Sequence, residues 1–278
     1  MGGWLGDFEI DTRLEPSGES EFRATLSEDW AIWGPNGGYV AAIALRGVGL
    51  VSKVGRPATF AGHFLSVARF EEIDVRVTAV KIGRRSESFR VSISQNDRPV
   101  FEGLVRTADQ APGLEHDVSQ MPDDPKPAEL REIAELVPAG SSPPFPFWNN
   151  FQVKPVWPER FDSMERVAHP PVFREWFRFI PRSTFDDPFL DAGRSLLMID
   201  TASWIAANQP HPNADFTAPN IDVTAWFHQF DPKSEWLLTD HRCDVAAGGL
   251  MGTHARIWSE SGKLLATGGA QLMCVPNP

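Results

Sequence analysis

Cysteine is almost missing from this 278-residue chain, which has only two. Cys243 and Cys274 fall in expected strands, with neither metal-ligand spacing nor a second pair for a disulfide framework, so buried thiols in a reducing compartment are expected. Positive charge is scarce as well. Twenty-six Lys and Arg face 37 Asp and Glu, a net charge of −11. Such a balance excludes nucleic acid as a main partner, because phosphate neutralisation needs a basic surface. A small polyanion stays open, since it needs only a local basic cluster. Long apolar runs are also absent. The most apolar stretch, Tyr39 to Val51, contains Arg46 and is shorter than the roughly 20 residues of a membrane span. The acidic segment Met1 to Glu9 lacks the basic and long apolar regions of a secretory signal, and a cytoplasmic location is the expectation. Several motifs are missing too: a Gly-x-Ser-x-Gly elbow, a phosphate-binding loop, a dinucleotide fingerprint and a His-Glu-x-x-His helix. Any chemistry must come from scattered polar residues, and no metal or cofactor is expected.

What is present is a repeat. In the first half, an apolar stretch from Gly37 to Val51 precedes His63-Phe64-Leu65. Alternating segments follow (Ile73 to Ile82, Ser88 to Gln95), then a polar turn at Asn96-Asp97-Arg98 and a strand from Pro99 to Thr107. In the second half, Leu197 to Asn208 reads as a helix preceding Trp226-Phe227-His228 at about the same distance. Glu235 to Cys243, Thr253 to Ser259, a turn at Glu260-Ser261-Gly262 and a strand to Met273 complete the copy. One helix plus antiparallel strands, twice, is too long a unit for a solenoid or propeller blade. Two fused copies of about 110–120 residues fit the length.

The helix at Gly38 to Ser52 has almost no polar face, so it must be covered on most sides. An antiparallel sheet curled around one central helix gives that cover, which is the hotdog fold. The expectation is an α+β double hotdog, and an ordinary α+β sandwich with one buried helix is the alternative. The first repeat is expected at 1–108 and the second at 156–278, with 156–182 opening the second as an alternating strand. Residues 109–155 are rich in proline and read as an extended linker, with one short helix at Ala128 to Leu136.

Trp33-Gly34-Pro35-Asn36-Gly37-Gly38-Tyr39-Val40, His63-Phe64-Leu65, Ile199-Asp200, Asp222 with Trp226-Phe227-His228, and Glu235-Trp236-Leu237-Leu238 together resemble the TesB-like acyl-CoA thioesterase II family of double hotdogs. The likeness spans both repeats. It implies hydrolysis of an acyl-CoA thioester without metal or covalent intermediate, by an Asp, a Ser/Thr and a Gln of the second repeat that order the attacking water. Asp200 matches the Asp. It interrupts an apolar segment where the second helix is expected to begin, and a carboxylate there can accept a proton from water or simply cap the helix. Asn220 stands at the Ser/Thr position, with Thr224 as a possible substitute on the same side of a strand. Ala270 stands at the Gln position and Gln271 one residue late. A bulge at Gly268-Gly269 would turn Gln271 into the site; without one it faces outward.

The first repeat offers a competing site. Asn36, Gly37 and Gly38 precede the buried helix, whose bare N–H groups suit a thioester carbonyl oxygen. His63 either supports that site or is a core residue. Lys81, Arg84, Arg85 and Arg90 could hold the phosphates of coenzyme A, or form a solvated hairpin. The resemblance leaves three readings: a thioesterase, a catalytically weakened acyl-CoA-binding or accessory protein, and, more distantly, a hotdog hydratase. Open sheet edges predict further association, as a homodimer.

Overall fold

The structure, a computed structural model, describes residues 5–161 and 167–276. The first half holds helix α1 (Phe8–Asp11), strands β1 (Glu15–Gly18) and β2 (Glu21–Thr25), and helix α2 (Gly37–Val51). Strands β3 (Pro57–Phe64), β4 (Glu72–Ile82), β5 (Ser86–Gln95) and β6 (Arg98–Ala108) follow. A short helix α3 (Ile133–Leu136) lies in the connection. The second half holds β7 (Phe151–Pro155), β8 (Val172–Phe179), helices α4 (Pro188–Thr201) and α5 (Ser203–Asn208), β9 (Phe216–Thr217) and β10 (Asp222–Phe227). It ends with β11 (Trp236–Ala247), β12 (Leu250–Ser259), β13 (Leu264–Gly269), β14 (Gln271–Met273) and β15 (Val275–Pro276).

One 13-stranded antiparallel sheet runs β1-β2-β4-β5-β6-β3-β10-β13-β12-β11-β8-β7, with β14 continuing along β12. The two halves join edge to edge at β3 and β10, where His63 lies opposite Asp222 and Phe60 opposite Ala225. α2 is buried within the first half and α4 within the second, and the two helices pack against each other. This is the double hotdog expected from the repeat.

Local chemistry explains the elements. α2 is capped by Asn36, whose Oδ1 accepts the Tyr39 N–H at 2.9 Å, and ten of its residues are buried. In β5 the residues alternate between core and half-exposed positions, as a strand with one covered face must. The β5–β6 hairpin turns through Asn96 and Asp97, at φ 51° and 62°, the left-handed pair that a two-residue hairpin favours.

The second helix corrects the sequence reading. It begins at Pro188, well before Leu197, with Asp187 as its cap and proline in the first turn. Its front half looks polar in sequence because it carries Asp191 and Arg194. Both are buried and paired with each other, and Arg194 also donates to the carbonyls of Ser183 and Ser234. Such a pair hides a core-facing helix turn from hydropathy.

The proline-rich connection is a strap over the outer face of the second half. Trp176 Nε1 donates to Pro125 O at 2.9 Å, Arg174 pairs with Asp124 at 3.3 Å, and Lys126 lies over the Trp176 ring. Trp176, Trp236 and Trp258 thereby gain a cover, with Met121 and Leu130 packed on them. Strand β7 falls inside the stretch read as linker, so the second sheet starts at Phe151 and not at 156. Within 156–182, the strand is confined to Val172–Phe179, and 162–166 lie outside the described residues. Among the described residues no helix is long and apolar enough to cross a membrane.

Candidate functional site

Where α2 starts and α4 ends, the two helices touch. A methyl group on Gly38 would sit 2.7 Å from Leu197 Cα and 2.8 Å from its carbonyl oxygen, so only glycine permits this approach. The contact delivers Asp200, near the last turn of α4, to the first turn of α2. Its Oδ2 accepts the Gly38 N–H at 2.6 Å. Its Oδ1 accepts from Asn220 Nδ2 at 2.6 Å, and Asn220 Nδ2 also lies 2.8 Å from the Asp200 carbonyl oxygen. Asn36 caps α2 with its Oδ1 and donates through Nδ2 to Thr201 Oγ1 at 3.1 Å. The Phe64 ring closes the side next to Gly37, 2.9 Å from where a Gly37 Cβ would lie.

The sequence reading placed Asp200 at the start of its own helix, and the structure overturns that. Asp200 lies near the end of α4 but at the positive N-terminus of α2, where a carboxylate is favoured by the helix dipole and by unpaired N–H groups. It is buried. Burial raises its pKa to about 6, while the Asn220 and Gly38 hydrogen bonds pull the other way. A carboxylate with a pKa near neutrality, held by two donors, can take a proton from water at physiological pH. The two candidate sites inferred separately, Asp200 in one repeat and Asn36-Gly37-Gly38 in the other, are one place.

Other expected residues are not brought there. Thr224 alternates with the fully buried Val223 and Ala225, so its side chain is on the sheet face away from the helices. His63 is exposed on that outer face, between Asp222 and Glu102 on the neighbouring strands, and is neither a core residue nor a partner of Asp200. Gln271 is also turned outward. The pairing register is unbroken from Gly268 opposite Ala255 to Gln271 opposite Gly252, so there is no bulge at Gly268-Gly269. The irregularity comes earlier, near Leu265. Ala270 and Leu272 therefore take the inner face, both buried. Gln271 contributes through its main chain alone: its carbonyl accepts the Ile221 N–H at 2.8 Å and its N–H donates to Asp222 Oδ1 at 2.9 Å. Those bonds fix the segment that presents Asn220.

Lys81, Arg84, Arg85 and Arg90 are exposed, and Arg90 is paired with Glu102 at 3.1 Å. Their hairpin lies toward the C-terminal end of α2, where Glu87 accepts from Ser52. That end is about 20 Å from Gly38 along the helix, at 1.5 Å per residue. The structure does not bring them to Asp200.

Sequence reasoning missed Thr201 and His241. Thr201 donates to Leu197 O at 2.9 Å while accepting from Asn36. The fully buried His241 lies with Nε2 3.2 Å from Ile199 O. Burial lowers its pKa to about 4, so the ring is neutral and donates to that carbonyl, bracing the turn that carries Asp200. The visible signal was alternation: His241 lies two and four residues on from Thr239 and Leu237, on the inward side of β11.

The internal two-fold defines a second location. Counted from the caps Asn36 and Asp187, Gly38 corresponds to Phe189 and Asp200 to Gly49. The equivalent contact exists, since a Gly49 Cβ would fall 2.6 Å from Phe189 Cγ. Here a benzyl ring fills the space and the carboxylate is gone. Only one of the two related locations carries the acid. Among the described residues no group of three or more His, Cys, Asp or Glu side chains converges as a metal site would.

Comparison with known proteins gives these findings. Sequence models of the N-terminal and C-terminal domains of acyl-CoA thioesterase match residues 26–108 and 116–275. No curated protein matches. Among solved structures, the chain is similar to acyl-CoA thioesterase II TesB2 of Mycobacterium marinum, at 21% identity over 98% of this chain and 99% of that one, TM-score 0.79. It is similar to a hot dog fold protein of Alicyclobacillus acidocaldarius, at 18% identity over 98% of each chain, TM-score 0.79. The dehydratase domain of the polyketide PpsC of Mycobacterium tuberculosis is more distant, at 11% identity over 92% of this chain and 93% of that one, TM-score 0.54. At these identities the solved structures establish the fold alone.

Proposed function

The chain belongs to the acyl-CoA thioesterase family, and we propose that it hydrolyses an acyl-CoA thioester to a free acid and CoA, using Asp200 to position and deprotonate the attacking water. The observation that carries the reading is the buried Asp200 carboxylate at the N-terminus of α2, held by Gly38 N–H and Asn220 Nδ2. In this mechanism Asp200 accepts the water proton as the hydroxyl oxygen attacks the thioester carbon. The Gly37 N–H, at the first helical position and without an intrahelical acceptor, faces the developing oxyanion. Collapse of the tetrahedral intermediate expels the CoA thiolate, which takes up the proton that Asp200 received. Asn220 keeps the carboxylate oriented, and Asn36 with Thr201 keeps the two helix ends in register. No metal or cofactor enters this scheme. We further take the protein as cytoplasmic and self-associating, because β1 and β7 leave open sheet edges.

Free-thiol release from a panel of acyl-CoAs of varied chain length tests the reading. Turnover on at least one member is the expected result. Tight acyl-CoA binding by the folded protein with no turnover on any member would replace it with an acyl-CoA-binding function.

A further inference from the structure

A thioester held at Asp200 carries an acyl group, and the packing around the carboxylate decides how long that group can be. Between the two helices there is no passage, since even a methyl group on Gly38 would meet the backbone of Leu197. On the second-half side Asn220 is bonded to both the carbonyl and the carboxylate of Asp200, and Leu272, opposite it in the sheet, is fully buried. The remaining way inward, under α2 towards the sheet of the first half, is closed by side chains alone. The Phe64 ring lies against Gly37. The fully buried Phe101 ring stands behind it at 5.4 Å between centroids, and Phe60 is stacked on Phe101 at 5.8 Å.

Phe101 lies in a trough made for it. Gly62 of β3 and Gly103 of β6 are opposite each other in the strand register, both on the buried inner face. A methyl group on Gly62 would overlap the Phe101 ring, and one on Gly103 would come within 3.0 Å of it. Glycine weakens a strand interior and marks a place where another group approaches closely. Without the ring, this facing pair would leave an apolar groove running inward from Phe64 and the start of α2, with Phe60 and Val105 as the next pair along its floor. We propose that Phe101, with Phe64 in front of it, sets the acyl length, and that the substrates are short acyl groups of the acetyl to butyryl kind. The inference rests on Asp200 being where the thioester is held. A short acyl group ends against the Phe64 ring, whereas a longer one needs the groove that Phe101 fills. Both phenylalanines determine specificity and neither takes part in the chemical step.

The test compares the full-length wild type with Phe101→Ala and Phe101→Leu. It reads kcat/KM on butyryl-CoA and octanoyl-CoA, and calorimetric affinity for the thioethers S-butyl-CoA and S-octyl-CoA. Wild type should favour butyryl-CoA and bind the two thioethers alike. Each methylene that enters an apolar groove strengthens binding about fourfold, so the octanoyl-to-butyryl ratio should rise at least about tenfold in Phe101→Ala, the emptied groove being free to collapse in part. Phe101→Leu removes less and should move the ratio the same way by less. A ratio of two substrates in one preparation does not depend on the fraction folded, so a role for Phe101 in stability alone leaves it unmoved. A wild type that prefers octanoyl-CoA, or an unchanged ratio in both folded variants, overturns the proposal. No turnover on either substrate, with tighter S-octyl-CoA binding in Phe101→Ala than in wild type, would sink the hydrolysis reading and leave the length gate standing. Turnover with a fixed ratio would do the reverse, and neither turnover nor thioether binding by the folded wild type overturns both.

Discussion

At the residue scale the account rests on how Asp200 is held. Its pKa of about 6 in the folded protein stands above the 3.8 of an ordinary aspartate. As a base it must be ionised, so kcat/KM should fall as pH drops through about 6, and a pH–rate profile checks this. The sign for stability is opposite. Between pH 4 and 6 the folded state keeps a proton that the unfolded chain has released, so this group lowers stability as pH rises across that window. A shift of this size corresponds to about 3 kcal/mol. Denaturant unfolding at pH 4 and 7, compared between wild type and Asp200→Asn, reads it. Asp200 was legible in the sequence because it interrupts an apolar segment and matches the Asp of the family the chain resembles, and Asn36-Gly37-Gly38 because they precede an all-apolar helix. That they meet was not, since the contact joins positions 162 residues apart and no local pattern encodes it. Thr201 and His241 escaped notice because their roles are hydrogen bonds to α4 carbonyls and, for Thr201, one accepted from the distant Asn36, which no local pattern marks.

Faces and close approaches belong to the scale of elements. Gln271 stands next to the position where the family carries its glutamine, yet strand alternation turns it outward beside Gly252. Gln271→Ala should therefore leave kcat and KM within about twofold of wild type, because its main-chain bonds to Ile221 and Asp222 survive the substitution. Steady-state kinetics decides the point, and a hundredfold loss would show that the side chain reaches the reaction. Gly38→Ala should behave differently. Its Cβ would meet backbone atoms of Leu197 below 3 Å, forcing α2 and α4 apart at a cost of about 1–3 kcal/mol. Gly55→Ala, with open space around it, is the control, and urea unfolding compares the two. A nearly unbroken apolar run made α2 readable, and alternation made the hairpins β4–β5–β6 readable, because one face of those strands is core and the other solvent. Such patterning failed at the front of α4, where the buried Asp191–Arg194 pair imitates a polar surface, and at Gly268-Gly269, whose glycines allow close packing against Thr224 and Thr253 carbonyls with no bulge.

For the whole molecule, the duplication makes two helix-end contacts of which one is functional. The two-fold fold follows from the repeat itself, since two sheets that each wrap a helix can share an edge, and the structure shows that edge to be β3 with β10. Phe189 and Gly49 at the related contact predict one acyl-CoA site per chain, so calorimetry with a non-hydrolysable acyl-CoA analogue should give a stoichiometry of one. Two equivalent sites would contradict the assignment of the Asp200 contact as the working half. The central claim is that Asp200 activates the water, and turnover of Asp200→Asn on the wild type's best acyl-CoA, with binding measured in parallel, tests it most directly. The account predicts a loss on the order of 10²-fold or more in kcat with acyl-CoA affinity nearly unchanged, because the substitution is isosteric. Full activity in the folded Asp200→Asn protein would contradict it.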